Sequence, residues 1–179
     1  LRKNYFIKNR NGVICWQSNN NSITENLFSR NTLNALTLTA GSSFNTISYN
    51  SINYNQGGVW IKPDSLRNSL YNSFLYITLD NNSGFSIQIL NAPQGPVQFN
   101  NIGRNPLYQS FLNLSDSLVH AEYNFWGTIS ESAVDSIIFD AVDQPQQGEV
   151  LYKPVLDQIF ATAPVPPPDR VIKQRIGTD

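Results

Sequence analysis

Short apolar segments, each three to five residues long and broken by Asn, Gly and Ser, dominate the chain, and within them apolar and polar positions alternate. Alternation with period two predicts brief strands rather than helices. The segments recur at a nearly constant step. Asn, any residue, then a large apolar residue stands at Asn4/Phe6, Asn26/Phe28, Asn50/Ile52, Asn72/Phe74, Asn100/Ile102 and Asn124/Trp126, with steps of 22, 24, 22, 28 and 24 residues. A second segment follows in the first five copies: Val13-Ile14-Cys15, Leu36-Thr37-Leu38, Val59-Trp60-Ile61, Phe85-Ser86-Ile87 and Phe111-Leu112-Asn113. A unit this small cannot bury its apolar positions alone, so copies must stack. The spacing predicts an all-β, right-handed parallel β-helix of about six coils of 22–28 residues, rising about 4.8 Å per coil. Phe6, Phe28, Ile52, Phe74, Ile102 and Trp126 are expected to stack inside it.

The recurring asparagines, among 23 in the chain, are expected to sit at the bends. Asn tolerates the left-handed backbone region, and its amide can bond backbone groups or a neighbouring Asn in a ladder. Asn4, Asn26, Asn50, Asn72, Asn100 and Asn124 therefore read as structural residues. The cleanest copy is Ile47-x-x-Asn50-x-Ile52-x-x-Asn55-Gln56-Gly57-Gly58-Val59-Trp60-Ile61. This pattern resembles the parallel β-helix repeat of the pectate-lyase-like superfamily over roughly residues 1–127. The resemblance implies the fold; the superfamily holds lyases, hydrolases, adhesins and non-catalytic surface modules.

From Thr128 the pattern changes. Thr128-x-x-Glu131 has the form of a capping box, and Val134, Ile137, Ile138 and Ala141 make one helical stripe. A short helix over about 130–142 and a strand at 149–152 are expected to form a C-terminal cap over 128–158, with Trp126 as a plug beneath it. The order Asn-Phe-Trp-Gly, helix, Asp140 and Gly148-x-Val150-x-Tyr152 is similar to the closure of extracellular and surface β-helix proteins. Residues 159–179, with Ala163-Pro164-Val165-Pro166-Pro167-Pro168, read as a semi-rigid linker towards a neighbouring domain of the same chain. Met is absent even at position 1, so the expectation is a piece of a longer protein whose targeting signal lies elsewhere.

Composition narrows the function. A net charge of -1 speaks against a nucleic-acid surface, and no apolar run is long enough for a membrane span. One Cys and one His cannot make a disulfide framework, a Cys-rich zinc site or a multi-histidine centre. No metal or other cofactor is expected. The acids of the coils, Glu25, Asp64, Asp80, Asp116 and Glu122, fall in different columns, and no lyase or hydrolase cluster emerges. The best reacting set, Lys62 with Asp64 and Arg67, reads as a solvated turn. Asp80-Asn81-Asn82-Ser83-Gly84 reads as a turn rather than a calcium loop. His120 is placed on the surface, and Cys15 in an inward column as an inert thiol. Sequons begin at Asn20, Asn81 and Asn113; Asn20 and Asn81, on turns, are the candidate glycan carriers.

The outward columns are more informative. One reads Ile14, Thr37, Trp60, Ser86 and Leu112; its neighbour reads Trp16, Thr39, Lys62, Gln88 and Leu114. A third, one position before each Asn, reads Lys3, Glu25, Tyr49, Tyr71, Phe99 and Tyr123. Aromatics on such a ladder stack on sugar rings, pack under a partner, or support a loop, for which the segment 84–94 is the candidate. The binding candidates are Tyr49, Tyr71, Phe99 and Tyr123, with Trp16 and Trp60 on the other face. The expected function is a non-catalytic extracellular structural or interaction module of a larger surface or adhesion protein, contacting a protein partner or a glycan. The competing expectation is a carbohydrate-active or glycan-binding β-helix.

Overall fold

The computed structural model describes residues 1–103, 105 and 109–160. All but the first two residues of the predicted linker lie outside that range. The chain coils into an all-β, right-handed parallel β-helix of about five turns with three lateral sheets. Sheet A stacks Ser22–Thr24, Thr46–Ser48, Ser73–Leu75 and Val97–Gln98. Sheet B stacks Tyr5–Ile7, Leu27–Ser29, Ser51–Asn53, Thr78–Asp80 and Asn101–Ile102. Sheet C stacks Val13–Trp16, Asn34–Thr39, Gly57–Ile61, Ile87–Ile89, Phe111–Asn113 and Ile138–Phe139. Every pairing in these sheets is parallel and joins one coil to the next. The core is the channel between the sheets. Phe28, Ile47, Ile52, Phe74, Leu79, Ile89 and Phe111 are fully buried there, and Phe6 stacks on Phe28 at 4.9 Å at the N-terminal end.

Each sheet meets the next at a corner, and the corners share one construction. The turning residue has a positive φ of 52–60° and is followed by an Asn, except at Tyr76, which Ile77 follows; away from the N-terminal coil this following residue is buried. Lys3, Glu25, Tyr49, Tyr76, Phe99 and Tyr123 turn from sheet A to B; Lys8, Arg30, Tyr54 and Asn81 turn from B to C; Asn20, Phe44 and Tyr71 enter sheet A. None of these residues is β-branched, as the left-handed region requires. The bend is therefore made mostly by residues other than Asn, contrary to the expectation that Asn supplies it. Asn follows the bend and anchors it. The backbone N–H and Nδ2 of Asn26 both donate to Asn50 Oδ1, at 2.9 and 3.0 Å, and Asn50 Nδ2 donates to the Ile23 carbonyl at 2.7 Å. Asn31 and Asn55 repeat this bonding at the second corner and Asn45 and Asn72 at the third.

Two registers differ from those read in the sequence. Asn72 lies in the ladder of Asn21 and Asn45, not that of Asn50, and Phe74 stacks on Ile47. The Asn50 column continues through Ile77, and Leu79 is the residue that stacks on Ile52. The signature Asn-x-apolar stands at both corners, five residues apart, at Asn21/Asn26 and Asn45/Asn50; the fourth coil keeps it only at the first corner, Asn72, and the fifth only at the second, Asn100. The fourth segment of sheet C is Ile87–Ile89 rather than 85–87, so Gln88, not Ser86, pairs with Trp60. Asn82 stands one residue further from this strand than Asn55 does from Val59 in the preceding coil. The N–H groups of Ser86 and Ile87 both donate to the Ser110 carbonyl, a bulge that absorbs the extra residue.

The cap also differs in its elements. The helix is only Glu131–Asp135, its N-cap Ser130 makes no side-chain cap bond, and Ile138–Phe139 leaves the helical path to extend sheet C. The β-branched pair Ile137-Ile138 meets an open sheet edge, and pairing there outweighs the weak helix signal. Thr128 Oγ1 accepts from the Ser130 N–H instead of opening a capping box. Val150–Leu151 pairs with Val119–His120. Asp140, buried, accepts from the Val142 and Val150 N–H groups at 2.9 and 2.7 Å and ties that strand down. Trp126 is buried above Ile102 and meets Phe111 and Tyr152 edge-on.

Truncating Phe74 to Ala should lower the unfolding free energy by about 3–5 kcal/mol. Asn50→Leu should cost about 1–3 kcal/mol, because it strands the Asn26 donors and the Ile23 carbonyl. Urea unfolding of the two variants measures both, and an unchanged midpoint for Asn50→Leu would contradict the anchoring role.

Candidate binding faces

The corner rule puts specific side chains on the surface. At these corners the left-handed residue aims its side chain away from the core, and parallel coils set equivalent side chains one strand spacing apart. At the corner between sheets A and B, Lys3 and Arg2 pair with Glu25 at 3.5 and 2.7 Å. Beyond them Tyr49 stacks on Tyr76 at 4.8 Å, Tyr76 on Phe99 at 5.7 Å and Phe99 on Tyr123 at 5.7 Å. Tyr76, not Tyr71, is the second member of this row. Tyr71 stacks on Phe44 at 5.2 Å at the corner that enters sheet A. The segment 84–94 does not cover the row, since its centre forms the sheet C strand Ile87–Ile89. The cover is Phe160, which lies across Tyr76 at 5.2 Å and Phe99 at 5.5 Å. Its N–H donates to Asn101 Oδ1 at 2.7 Å. Tyr49 and Tyr123, at the two ends, stay 38% and 43% exposed.

The outer face of sheet C carries the tryptophans. Ile14, Thr37, Trp60, Gln88, Leu112 and Phe139 share one column. Trp16 is 59% exposed and pairs with Thr39. Trp60 is half-buried, its Nε1 is buried without a partner among the described residues, and Lys62 Nζ stands 4.3 Å from its ring centroid. Beside Trp60 lies a groove of about 430 Å³. Leu33, Trp60, Phe85 and Leu112 give it apolar walls; Asn34, Gln56, Gln88 and Gln109 line it with amides. Two glycines shape it. A Cβ on Gly57 would collide with Asn34 Oδ1 and stand 2.8 Å from the Phe85 ring, and one on Gly84 would stand 2.6 Å from the Gln56 carbonyl. Phe85 and Gln88 were not singled out as binding residues in the sequence. The Gly57-Gly58 pair and the extra residue after Asn82 were the signals available.

The remaining candidates resolve into structure. Asp64 Oδ1 accepts from the Leu66 and Arg67 N–H groups at 2.8 and 2.7 Å, closing its own turn. Lys62 lies over Trp60, and the Arg67 stem lies against Gly41, so the three do not form a reacting set. Exposed His120 meets Glu122 at 2.9 Å, and Gln98 donates to the other Glu122 oxygen at 2.9 Å. Burial pushes the Glu122 carboxyl up, but the bonds from His120, its own N–H and Gln98 outweigh it and hold the group below its usual range. Asn20 and Asn81 are exposed at left-handed corners; Asn81 Nδ2 donates to Asp80 at 2.7 Å. Asn113 is buried and donates to the Ser117 and Gly148 carbonyls. Burial pushes the Cys15 thiol up, which disfavours the reactive thiolate. Among the described residues, no group of three His, Cys, Asp or Glu side chains could hold a metal ion, and no helix is long and apolar enough to cross a membrane.

These features define a parallel β-helix repeat protein with aromatic corners. A family model described as periplasmic copper-binding protein (NosD) matches residues 1–83, less than half of the chain. Over those coils the chain is similar to that family. No curated protein and no solved structure matches it.

Phe160→Ala should destabilise the protein by about 1–3 kcal/mol, through lost apolar burial and two ring contacts. Tyr71→Ala, which removes one half-exposed ring from one partner, should cost less; thermal unfolding ranks the two. Glu122, with a lowered folded pKa, stabilises the fold above the ordinary carboxylate value, and that contribution fades as pH falls through the lowered one. Glu122→Gln should therefore flatten the acid limb of the stability profile. Native Cys15 should react with a maleimide far more slowly than the urea-unfolded chain.

Proposed function

We propose that this protein is a non-catalytic, exported interaction module that binds through the outer face of sheet C. The groove beside Trp60 carries this reading. It is a concave, mainly apolar site of ligand size on the sheet C wall, within the range of about 300–1,000 Å³ for small-molecule sites. The aromatic row from Tyr49 to Tyr123 is the weaker contact face, because Phe160 already takes its centre. The periplasmic description of the family similar over residues 1–83 supports an exported location.

Copper, which that description names, does not fit the residues present. Copper sites draw on thiolate, thioether and imidazole donors. Residues 1–83 contain no His and no Met, and their one Cys, Cys15, is buried. Glu25 is held by Arg2 and Lys3, and Asp64 closes its own loop. No step is assigned to a metal. Titration with copper(I) in competition with bicinchoninate should show no stoichiometric uptake; uptake lost in Cys15→Ser would contradict this.

The binding reading is tested by retention of the purified chain on intact cells and on insoluble extracellular polysaccharides. The double variant Trp60→Ala, Phe85→Ala should lose retention while still folding to the same β-helix by circular dichroism, at a melting temperature lowered by loss of two half-buried rings. Retention unaffected by that variant, or release of soluble sugar products from any polysaccharide, would overturn the proposal.

A further inference from the structure

We infer that the outer face of sheet B is a docking track for an extended, proline-rich segment, and that its occupant is this chain's own stretch 161–169, read in the sequence as part of a linker. The inference is independent of the binding role of sheet C. The described end of the chain already runs onto the track. The Pro154 carbonyl accepts from the Tyr123 N–H at 2.7 Å, the Leu156 N–H donates to the Asn124 carbonyl at 2.9 Å, and the Phe160 N–H donates to Asn101 Oδ1 at 2.7 Å. The chain has thus turned back along the solenoid axis, from the last coil at Asn124 to the one before it at Asn101. The Phe160 ring reaches one coil further, to Tyr76 at 5.2 Å.

The face ahead of Phe160 has the burial of a covered surface. Asn101 pairs with Thr78 and Thr78 with Ser51, while Ser29 and Asp80 flank Asn53. These side chains alternate with the inward Phe28, Ile52, Leu79 and Ile102, so they point away from the core. Yet Asn53 is 0% exposed, Ser51 and Thr78 5%, Asn101 6% and Ser29 8%. The matching outward positions of sheet A, Thr46, Ser48, Ser73 and Leu75, are exposed or half-buried. Asn53 Oδ1 is buried without a hydrogen-bond partner among the described residues, an acceptor that calls for a donor from outside the sheet.

The sequence of 161–169 suits the track. A proline run favours the extended polyproline conformation, whose carbonyls have no internal partners. The Ser51 and Thr78 hydroxyls accept from the amides of Asn53 and Asn101, which keeps their O–H groups to donate to such carbonyls. Ala161, Thr162, Ala163 and Val165 carry the N–H groups that Asn53 Oδ1 needs. At about 3.1 Å per residue the stretch reaches about 28 Å. Ser29 lies three coils from Asn101, about 14 Å along the axis. Arg30 stands just beyond Ser29 at the corner into sheet C, and Asp169 ends the proline run. An Arg30–Asp169 ion pair would hold the far end of the stretch as Phe160 holds the near one.

The test is maleimide labelling of the full chain in a Cys15→Ser background. Ser51→Cys reports on the track, and Thr46→Cys, an exposed outward position on sheet A, is the reference. Ser51→Cys should label about tenfold or more slowly than Thr46→Cys. Asp169→Arg, and separately the replacement of Pro164, Pro166, Pro167 and Pro168 by Gly, should speed labelling at Ser51→Cys. Both should leave the Thr46→Cys rate and the circular dichroism unchanged. Arg30→Asp should speed it as well, and combining Arg30→Asp with Asp169→Arg should slow it again. Equal labelling of the two reporters, or a Ser51→Cys rate indifferent to every change in 161–169, would overturn the inference. So would protection that grows with protein concentration, which would make the occupant a second copy's segment.

Discussion

The hydrogen bond from the backbone N–H of one corner asparagine to the Oδ1 of the next is the contact on which the other features depend. A corner needs a left-handed residue, which is costly for anything but glycine. It also frees backbone groups that the sheets no longer satisfy. The amide answers the second problem completely at Asn26, Asn50 and Asn55: Oδ1 accepts from the coil before, and Nδ2 reaches a carbonyl of that coil. Because the bond fixes the corner, the left-handed position itself is released from glycine or Asn. It is filled mostly by Lys, Glu, Arg, Tyr and Phe, with Asn only at Asn20 and Asn81. The charge-poor, Asn-rich composition and the aromatic surface rows follow from this one device.

Much of the fold could be read from the repeat because stacking imposes the same demands on every coil. The inward column from Phe6 through Phe28 and Ile52 to Ile102 and Trp126 stood out, since an apolar residue is needed at each level. The errors came where one signal served two places. Asn72-x-Phe74 looks like Asn50-x-Ile52 because both corners bounding sheet A use the same motif, and Ile77 gives no sign that it occupies an Asn position. Ile77 tolerates that position because its N–H still donates to Asn100 Oδ1 at 2.9 Å. A two-residue slip in the fourth strand of sheet C keeps the alternation intact. Inward and outward were therefore legible for most of that sheet, and of the two neighbours of Trp60 only Thr37 was, Gln88 standing where Ser86 was expected.

The cap and the cover of the aromatic row were hidden for another reason. Helical periodicity over 130–142 is a local signal, whereas the strand Ile138–Phe139 is dictated by a distant open edge that only the folded solenoid presents. Phe160 is further still from its partners: its bonds to Asn101 span 59 positions. Nothing near Phe160 in the sequence distinguishes a ring that docks on Tyr76 and Phe99 from one in a linker. Long-range closure of this kind depends on shape complementarity, which no periodic pattern encodes.

Regularity and recognition divide the surface between them. Where the repeat is strict, equivalent side chains stack on each other and leave little for a ligand; the row from Tyr49 to Tyr123 spends its ring faces internally and on Phe160. Where the repeat lapses, stacking is interrupted and a concavity opens. The bulge at Ser86 and Ile87 shifts the strand that follows, and Gly57 and Gly84 withdraw the backbone so that Phe85 can lie over it. The result places an indole and four amides around a hollow that a strict coil would have filled. A binding site on a solenoid is expected at its irregular coil, because there the chain holds side chains that its own neighbours do not satisfy.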